Sequence, residues 1–207
     1  GYVGDNAAVD NVVVSDVLHE YTKPAAPTNL SLDTSVDREI TVNKDIVATF
    51  AMGNNEDYKK TSETSWSSES TGGLETSTTI SGLLDGEKYD VRTKTWVRQY
   101  RNGSHDAFHN SNLIYGTTTT NLPTPTNVSL DTSTDREITV TWDDTINNGS
   151  YNVYTGTASG SLSQETNVGG NTTSWTDSSL LDGEKYFYVV EAETEHTTSS
   201  STEVSAV

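Results

Sequence analysis

Residues 125–145 (PTNVSLDTSTDREITVTWDDT) repeat residues 27–47 (PTNLSLDTSVDREITVNKDIV) almost letter for letter, and Leu180–Tyr186 (LLDGEKY) copies Leu83–Tyr89 without a change. The first pair is offset by 98 positions and the second by 97. The repeating unit is therefore about a hundred residues, the size of one small domain and too long for a solenoid repeat. A chain of 207 residues holds two such units and a short N-terminal piece, and each unit is long enough to bury a core of its own.

Local patterning says what each unit is made of. Ile138, Val140 and Trp142 alternate with polar residues, Val153 lies in a second such run, and Tyr186, Tyr188, Val190 and Ala192 share one face of a third, as strands half-buried in a sheet require. Asn148-Gly149 and Gly169-Gly170 supply turns that tolerate positive φ. No stretch sustains a 3.6-residue period. Short strands separated by turn residues predict an antiparallel sandwich. Lys23–Pro27 and Thr117–Pro125, the latter with Pro123 and Pro125, read as stiff connections, because proline fixes its own φ and extends its predecessor.

The run Leu180-Leu181-Asp182-Gly183-Glu184-Lys185-Tyr186 is similar to the L-x-P-G-x-x-Y signature of fibronectin type III domains, with Asp182 in place of the proline, and a Y-x-V-x-A strand follows it. Trp142, the Pro125–Val128 opening and the Glu203–Ala206 close fit the same family, so the resemblance spans residues 123–207. It implies an all-β chain of two tandem antiparallel immunoglobulin-like sandwiches, repeat one at 24–120 and repeat two at 121–207, after an N-terminal strand segment at 1–23. It also implies that Tyr89 and Tyr186 are tyrosine-corner residues, whose hydroxyls bond back to the backbone. Repeat one departs from the pattern: Asn43 stands where the strand-B tryptophan is expected, and Asp45–Ser70 does not align with repeat two. Its core is expected to be the weaker.

In the first 23 residues the run Val12-Val13-Val14 suits a strand buried on both faces. The string AVDNVVVSDVLHEYT resembles the last strand of a concanavalin-like or jelly-roll carbohydrate-binding domain; a strand added to the edge of repeat one is the alternative. The chain opens on Gly1-Tyr2-Val3 without a methionine, as expected of a piece of a longer protein.

Thirty acidic residues against twelve basic give a formal charge of -18, and only 31% of residues are hydrophobic. Such a field repels polyanions, which excludes nucleic acid and an anionic membrane surface as partners. No apolar run approaches a membrane span, so no direct membrane insertion is expected. Self-repulsion of this size needs screening, and the composition resembles proteins of halophilic archaea and their viruses; an acidic secreted protein of an ordinary habitat is the alternative. There is no cysteine, hence no disulfide and no thiolate site.

The residues offer little catalytic chemistry. Of His19, His105, His109 and His196, only His105 and His109 are close. They fall in an expected hairpin loop around Asn102-Gly103, where their spacing does not place two imidazoles on one metal as a helix would. No nucleophile–base–orienter motif, calcium loop or isolated carboxylate pair stands out. No cofactor, metal or catalytic residue is expected.

Positive charge is distributed unevenly. Repeat one carries nine basic residues against thirteen acidic, whereas repeat two has only Arg136 and Lys185 against thirteen. If Tyr89, Val91, Thr93, Thr95 and Val97 face inward, then Asp90, Arg92, Lys94, Trp96 and Arg98 form an outward row that continues to Tyr100 and Arg101. An aromatic among cations suits a partner face; pairing with acidic residues of a neighbouring module, or packing under the loop, is the alternative. Asn29, Asn102, Asn127, Asn148 and Asn171 each begin an N-x-S/T sequon and are candidate glycosylation sites.

Together these features predict a non-catalytic extracellular spacer and attachment module at a cell or virion surface, either a virion appendage (tail, turret or fibre) or a cell-surface adhesin of a halophile. Its partners would be other protein subunits or a cell-surface glycan. The alternative is an accessory region of a secreted glycoside hydrolase or protease.

Overall fold

The computed structural model describes residues 23–48, 51–70, 73–101 and 104–207, without the side chains of 98–109. The segment expected at 1–23 therefore lies, but for Lys23, outside the described residues.

Within them the chain is all β. Repeat one begins with β1 (Thr28–Asp33) and β2 (Glu39–Asp45), followed by the hairpin of β3 (Gly53–Lys60) and β4 (Ser67–Ser70). Then come β5 (Ser77–Ser81), β6 (Lys88–Arg101), β7 (Ser104–Asn110) and β8 (Ile114–Thr119). Strands β1-β2-β5 form one antiparallel sheet and β4-β3-β6-β7 the other, with β8 also pairing with β6. Repeat two uses β9 (Ser129–Asp131), β10 (Glu137–Thr141), β11 (Ser150–Ala158), β12 (Ser161–Gly169), β13 (Ser174–Ser178), β14 (Tyr186–Glu193), β15 (Thr198–Ser200) and β16 (Val204–Ala206). Its sheets run β13-β10-β9 and β12-β11-β14-β15, with β16 on β14. The order is the same in both repeats, with the last strand broken into two short pieces.

The repeated sequence reproduces local geometry as well as topology. Arg38 and Arg136 both adopt positive φ, 62° and 61°, and their carbonyls accept from Leu83 N and Leu180 N at 3.0 Å each. The hydroxyl of Tyr89 accepts from Leu84 N at 3.1 Å, and that of Tyr186 from Leu181 N at 3.1 Å. Each tyrosine thus ties its strand to the turn five residues earlier.

The two interiors differ at one end. In repeat two Trp142 packs edge-on against Tyr151, ring centroids 5.5 Å apart, in a core shared with Val140, Val153, Tyr188, Val190 and Ala192. The strand-B tryptophan position in repeat one belongs to Lys44, not Asn43: Ile40, Val42 and Lys44 are buried on one face of β2 while Asn43 is only partly covered. A one-residue slip in register moves a side chain to the opposite face, and that slip is the error in the sequence reading.

Lys44 carries a charge into the core, and the neighbouring positions have changed to match. Opposite β6, Asn54 pairs with Thr95 and Glu56 with Thr93, where repeat two pairs Tyr151 with Ala192 and Val153 with Val190. Lys44 Nζ lies 2.9 Å from Glu56 Oε1, both side chains fully buried. That oxygen also accepts from Asn54 Nδ2 at 3.0 Å and from Thr93 Oγ1 at 3.1 Å, and Lys44 donates to Thr78 Oγ1. These contacts offset the desolvation of the pair through Oε1 alone, since the buried Glu56 Oε2 has no hydrogen-bond partner among the described residues. The apolar cluster of repeat one shrinks accordingly to Ile40, Val42, Ile80, Leu83, Tyr89 and Val91.

Candidate functional site

The outward row of β6 lies on the outer face of the five-stranded sheet of repeat one. Directly opposite on β3, Lys59 faces Asp90, Asp57 faces Arg92, Asn55 faces Lys94 and Gly53 faces Trp96. Arg92 Nε bonds Asp57 Oδ2 at 2.9 Å, and Lys59 Nζ bonds Asp90 Oδ2 at 2.9 Å. The Asp90 carboxyl is held below the usual carboxylate range, first by this lysine hydrogen bond, which burial opposes, and then by the hydroxyls of Thr117 and Thr61.

The aromatic that takes the cations is Trp66, in the β3–β4 connection. The Arg92 guanidinium stands 4.1 Å from its ring centroid and Lys59 Nζ 5.3 Å, within the range of a cation–π contact. Trp96 is half-buried, its indole occupying the space where a Cβ at Gly53 would stand. Arg98, Tyr100 and Arg101 continue β6, with side chains outside the described residues. Sequence reasoning missed Trp66 because Asp45–Ser70 does not align in sequence with repeat two.

A second site is the joint between the repeats. The LLDGEKY turn of repeat one and the loops preceding β11 and following β14 in repeat two meet end to end. Asp85 is fully buried there. Asn147 N donates to its Oδ2 at 2.7 Å, while Asp85 N donates to Asn147 Oδ1 at 2.8 Å. Arg38 Nε reaches both carboxylate oxygens, at 3.3 and 3.1 Å, and its Nη2 donates to the carbonyl of Thr145. Such charge-assisted bonds offset the desolvation of the carboxylate. Asn147 and Asn148 also donate to the carbonyls of Leu83 and Asp85, Thr194 Oγ1 donates to Gly86 O at 3.0 Å, and His196 Nε2 lies 3.2 Å from Glu87 Oε1. Gly86 has a positive φ of 59°, and a Cβ there would meet Thr194 at 2.7 Å.

The connection is pinned from both sides. Thr120 Oγ1 donates to Leu84 O at 2.6 Å and accepts from Glu87 N at 3.0 Å, Asn121 Nδ2 donates to Asp37, and the next residue, Leu122, is buried in the core of repeat two. The front part of the expected linker, Thr117–Thr119, belongs to β8.

The sequons fall in different surroundings. Asn171 is exposed. Asn29 and Asn127, both at positive φ, donate from Nδ2 to Asp45 and Asp143 at 2.6 Å each. Asn148 faces the joint, and Asn102 lies outside the described residues. His105 and His109 sit not in a loop but on β7, opposite Tyr100 and Val97 of β6. Among the described residues no group of three or more His, Cys, Asp or Glu is placed to hold a metal ion, and no helix is long and apolar enough to cross a membrane.

No protein-family model matches the chain, and no curated protein matches it. Solved structures do. A two-domain fibronectin type III segment of chicken tenascin superposes with a TM-score of 0.68 at 19% identity, covering 87% of this chain and 97% of that one. The FN1-FN3 domains of chicken CNTN1 match with a TM-score of 0.38 at 16% identity, over 89% of this chain and 68% of theirs. At such identities the likeness speaks for architecture alone, and the tenascin segment and the strand order on β6 and β14 agree on it: the chain has the fold of a tandem pair of fibronectin type III-like sandwiches.

Proposed function

We propose that this chain is a non-catalytic spacer and attachment module of an extracellular assembly, with repeats at 24–120 and 121–207 joined as a stiff rod. The observation that carries the reading is the joint, where a buried carboxylate, an arginine and two asparagines hold one repeat on the next. A flexible tether has no use for such contacts; a spacer that sets distance does. The setting we propose is a virion appendage or cell-surface adhesin of a halophile, supported by the charge of -18, which concentrated salt screens. The outer strip of β6, with Arg92, Lys94, Trp96, Arg98, Tyr100 and Arg101, is the proposed partner face, toward an acidic protein subunit or surface glycan. Exposed sequons such as Asn171 are the proposed glycan sites.

The test uses the absence of cysteine. Spin labels at Ser68→Cys and Ser163→Cys, exposed positions on the two repeats, are expected to give one narrow interspin distance distribution, and melting temperature is expected to rise with added salt. A broad distribution rules out the spacer, and a melting temperature that is flat or falls with salt rules out the halophilic setting.

A further inference from the structure

Repeat two carries a second copy of the surface on which it itself is seated. Leu180–Tyr186 is identical to Leu83–Tyr89, and Asp135–Ile138 to Asp37–Ile40. The backbone matches as well: Arg136 keeps the positive φ of Arg38, and Gly183 at 76° keeps that of Gly86.

What differs is the cover. Asp85 is wholly buried, whereas Asp182 is exposed, as are Gly183 and Glu184. Leu181 is 64% exposed; its counterpart Leu84 is half-buried. A Cβ at Gly86 would strike Thr194 and Thr197, while one at Gly183 would meet nothing within 4 Å. Arg136, with no seated loop to reach, turns its Nε back to Leu180 O at 3.0 Å. Between these residues lies an open recess of ≈ 280 Å³ lined by Arg136, Leu180–Glu184, Tyr186 and Val207.

We infer that this end of repeat two is a docking socket for a further module whose leading end resembles that of repeat two. Its chemistry follows from the occupied copy: a turn offering one backbone N–H and an Asn carboxamide to Asp182, a carbonyl to Arg136, and a hydroxyl-bearing loop residue over Gly183. A second copy of this chain is not the occupant, because its own matching loops, with Asn147, Asn148 and Thr194, are already seated on repeat one. Repeat one does not offer the same chemistry: the register that matches Asn54 to Tyr151 puts Phe50 and Ala51 where repeat two has Asn147 and Asn148. The inference rests on the geometry of the joint and not on the β6 strip.

The register allows a direct test. Tyr89 pairs with Thr118 and Tyr186 with Ala206, so Val207 corresponds to Thr119. A chain extended beyond Val207 by a second copy of residues 120–207 thus continues as the natural connection does. Labels at Ser163→Cys and at its copy in the added module are expected to give a narrow interspin distribution. Asp182→Ala is expected to broaden it while leaving the Ser68–Ser163 distribution unchanged. A broad distribution with and without Asp182, beside a narrow Ser68–Ser163 one, overturns the socket alone; breadth in both overturns the joint with it. Sedimentation of the 207-residue chain is the second measurement. A monomer is expected, and a dimer dissolved by Asp182→Ala would overturn the third-module occupant in favour of a second copy.

Discussion

Asp85 and Asn147 exchange hydrogen bonds in both directions: each backbone N–H donates to the other's side-chain oxygen, at 2.8 and 2.7 Å. Residues 62 positions apart thereby register one sandwich against the next, and the Arg38 guanidinium neutralises the carboxylate between them.

The sister residue provides the control for the first prediction. Asp85→Ala removes the acceptor of the Asn147 amide and the partner of the half-exposed Arg38, and is expected to cost about 1–3 kcal/mol. Asp182→Ala, on an exposed copy of the same turn, is expected to change stability by less than about 0.5 kcal/mol. Urea denaturation of both variants measures the difference, and equal midpoints would show that the joint contributes nothing.

The polar interior of repeat one is expected to behave as a unit. Lys44→Ala leaves Glu56 buried and unpaired, for a loss of about 3–5 kcal/mol. Replacing both members, Lys44→Met with Glu56→Leu, is expected to fall within about 1 kcal/mol of the parent or above it. Thermal melts of single and double variants read this directly. A double variant as damaged as the single one would mean that the apolar pair does not fit the site.

At the tyrosine corners, Tyr89 is 4% exposed, and burial pushes its phenol pKa up, with the Leu84 amide acting in the opposite sense. Tyr89→Phe is expected to cost about 0.5–1.5 kcal/mol. Tyr186→Phe should cost less, because its bond to Leu181 N is open to solvent. Denaturant midpoints decide the order.

Asp90 gives the pH dependence its sign. A carboxylate whose folded pKa is depressed contributes stability above its unfolded pKa of about 3.9, and that contribution is lost as pH falls through the folded value. Asp33, Asp131 and Glu203, depressed first by hydrogen bonds from Ser35, Ser133 and Ser159 respectively, act in the same direction. Lys59→Met is expected to raise the Asp90 titration midpoint, followed by carboxyl carbon NMR. An unmoved midpoint would show that the lysine bond is not the cause.

On the β6 strip, Arg92 is already satisfied by Asp57 and Trp66, so charge alone is a weak handle there. Trp96→Ala is expected to weaken binding to an acidic partner by about 2 kcal/mol and Lys94→Ala by less, since salt screens exposed ion pairs. Binding is compared in high salt after both variants are shown to fold. Undiminished binding by the Trp96 variant would leave the strip an ordinary solvated face.

Much of the fold was legible because the duplication supplies its own alignment: the β2 and β10 alternation, the LLDGEKY turn and the inward face of β14 could each be read twice. Legibility failed where the copies diverge. Lys44, Asn54 and Glu56 fit neither an apolar strand face nor a surface one until they are seen together, since each is acceptable in the core only because the others are there. Trp66 was hidden because the sequence around it does not align with repeat two. The joint was unreadable for the opposite reason. Asp85 and Asp182 sit in identical heptapeptides, so nothing local distinguishes the one that is buried from the one that is not; the difference lies in loops some sixty residues away.

The anchoring of Thr120 in one sandwich and Leu122 in the other leaves a single residue between two fixed points, and that sets how the pair responds to mechanical load. A chain drawn taut across this connection has no slack to give up. Tension passes straight from β8 through the backbone into the next module, so the Asp85 cluster beside it is left to resist bending and twisting of the pair rather than stretch.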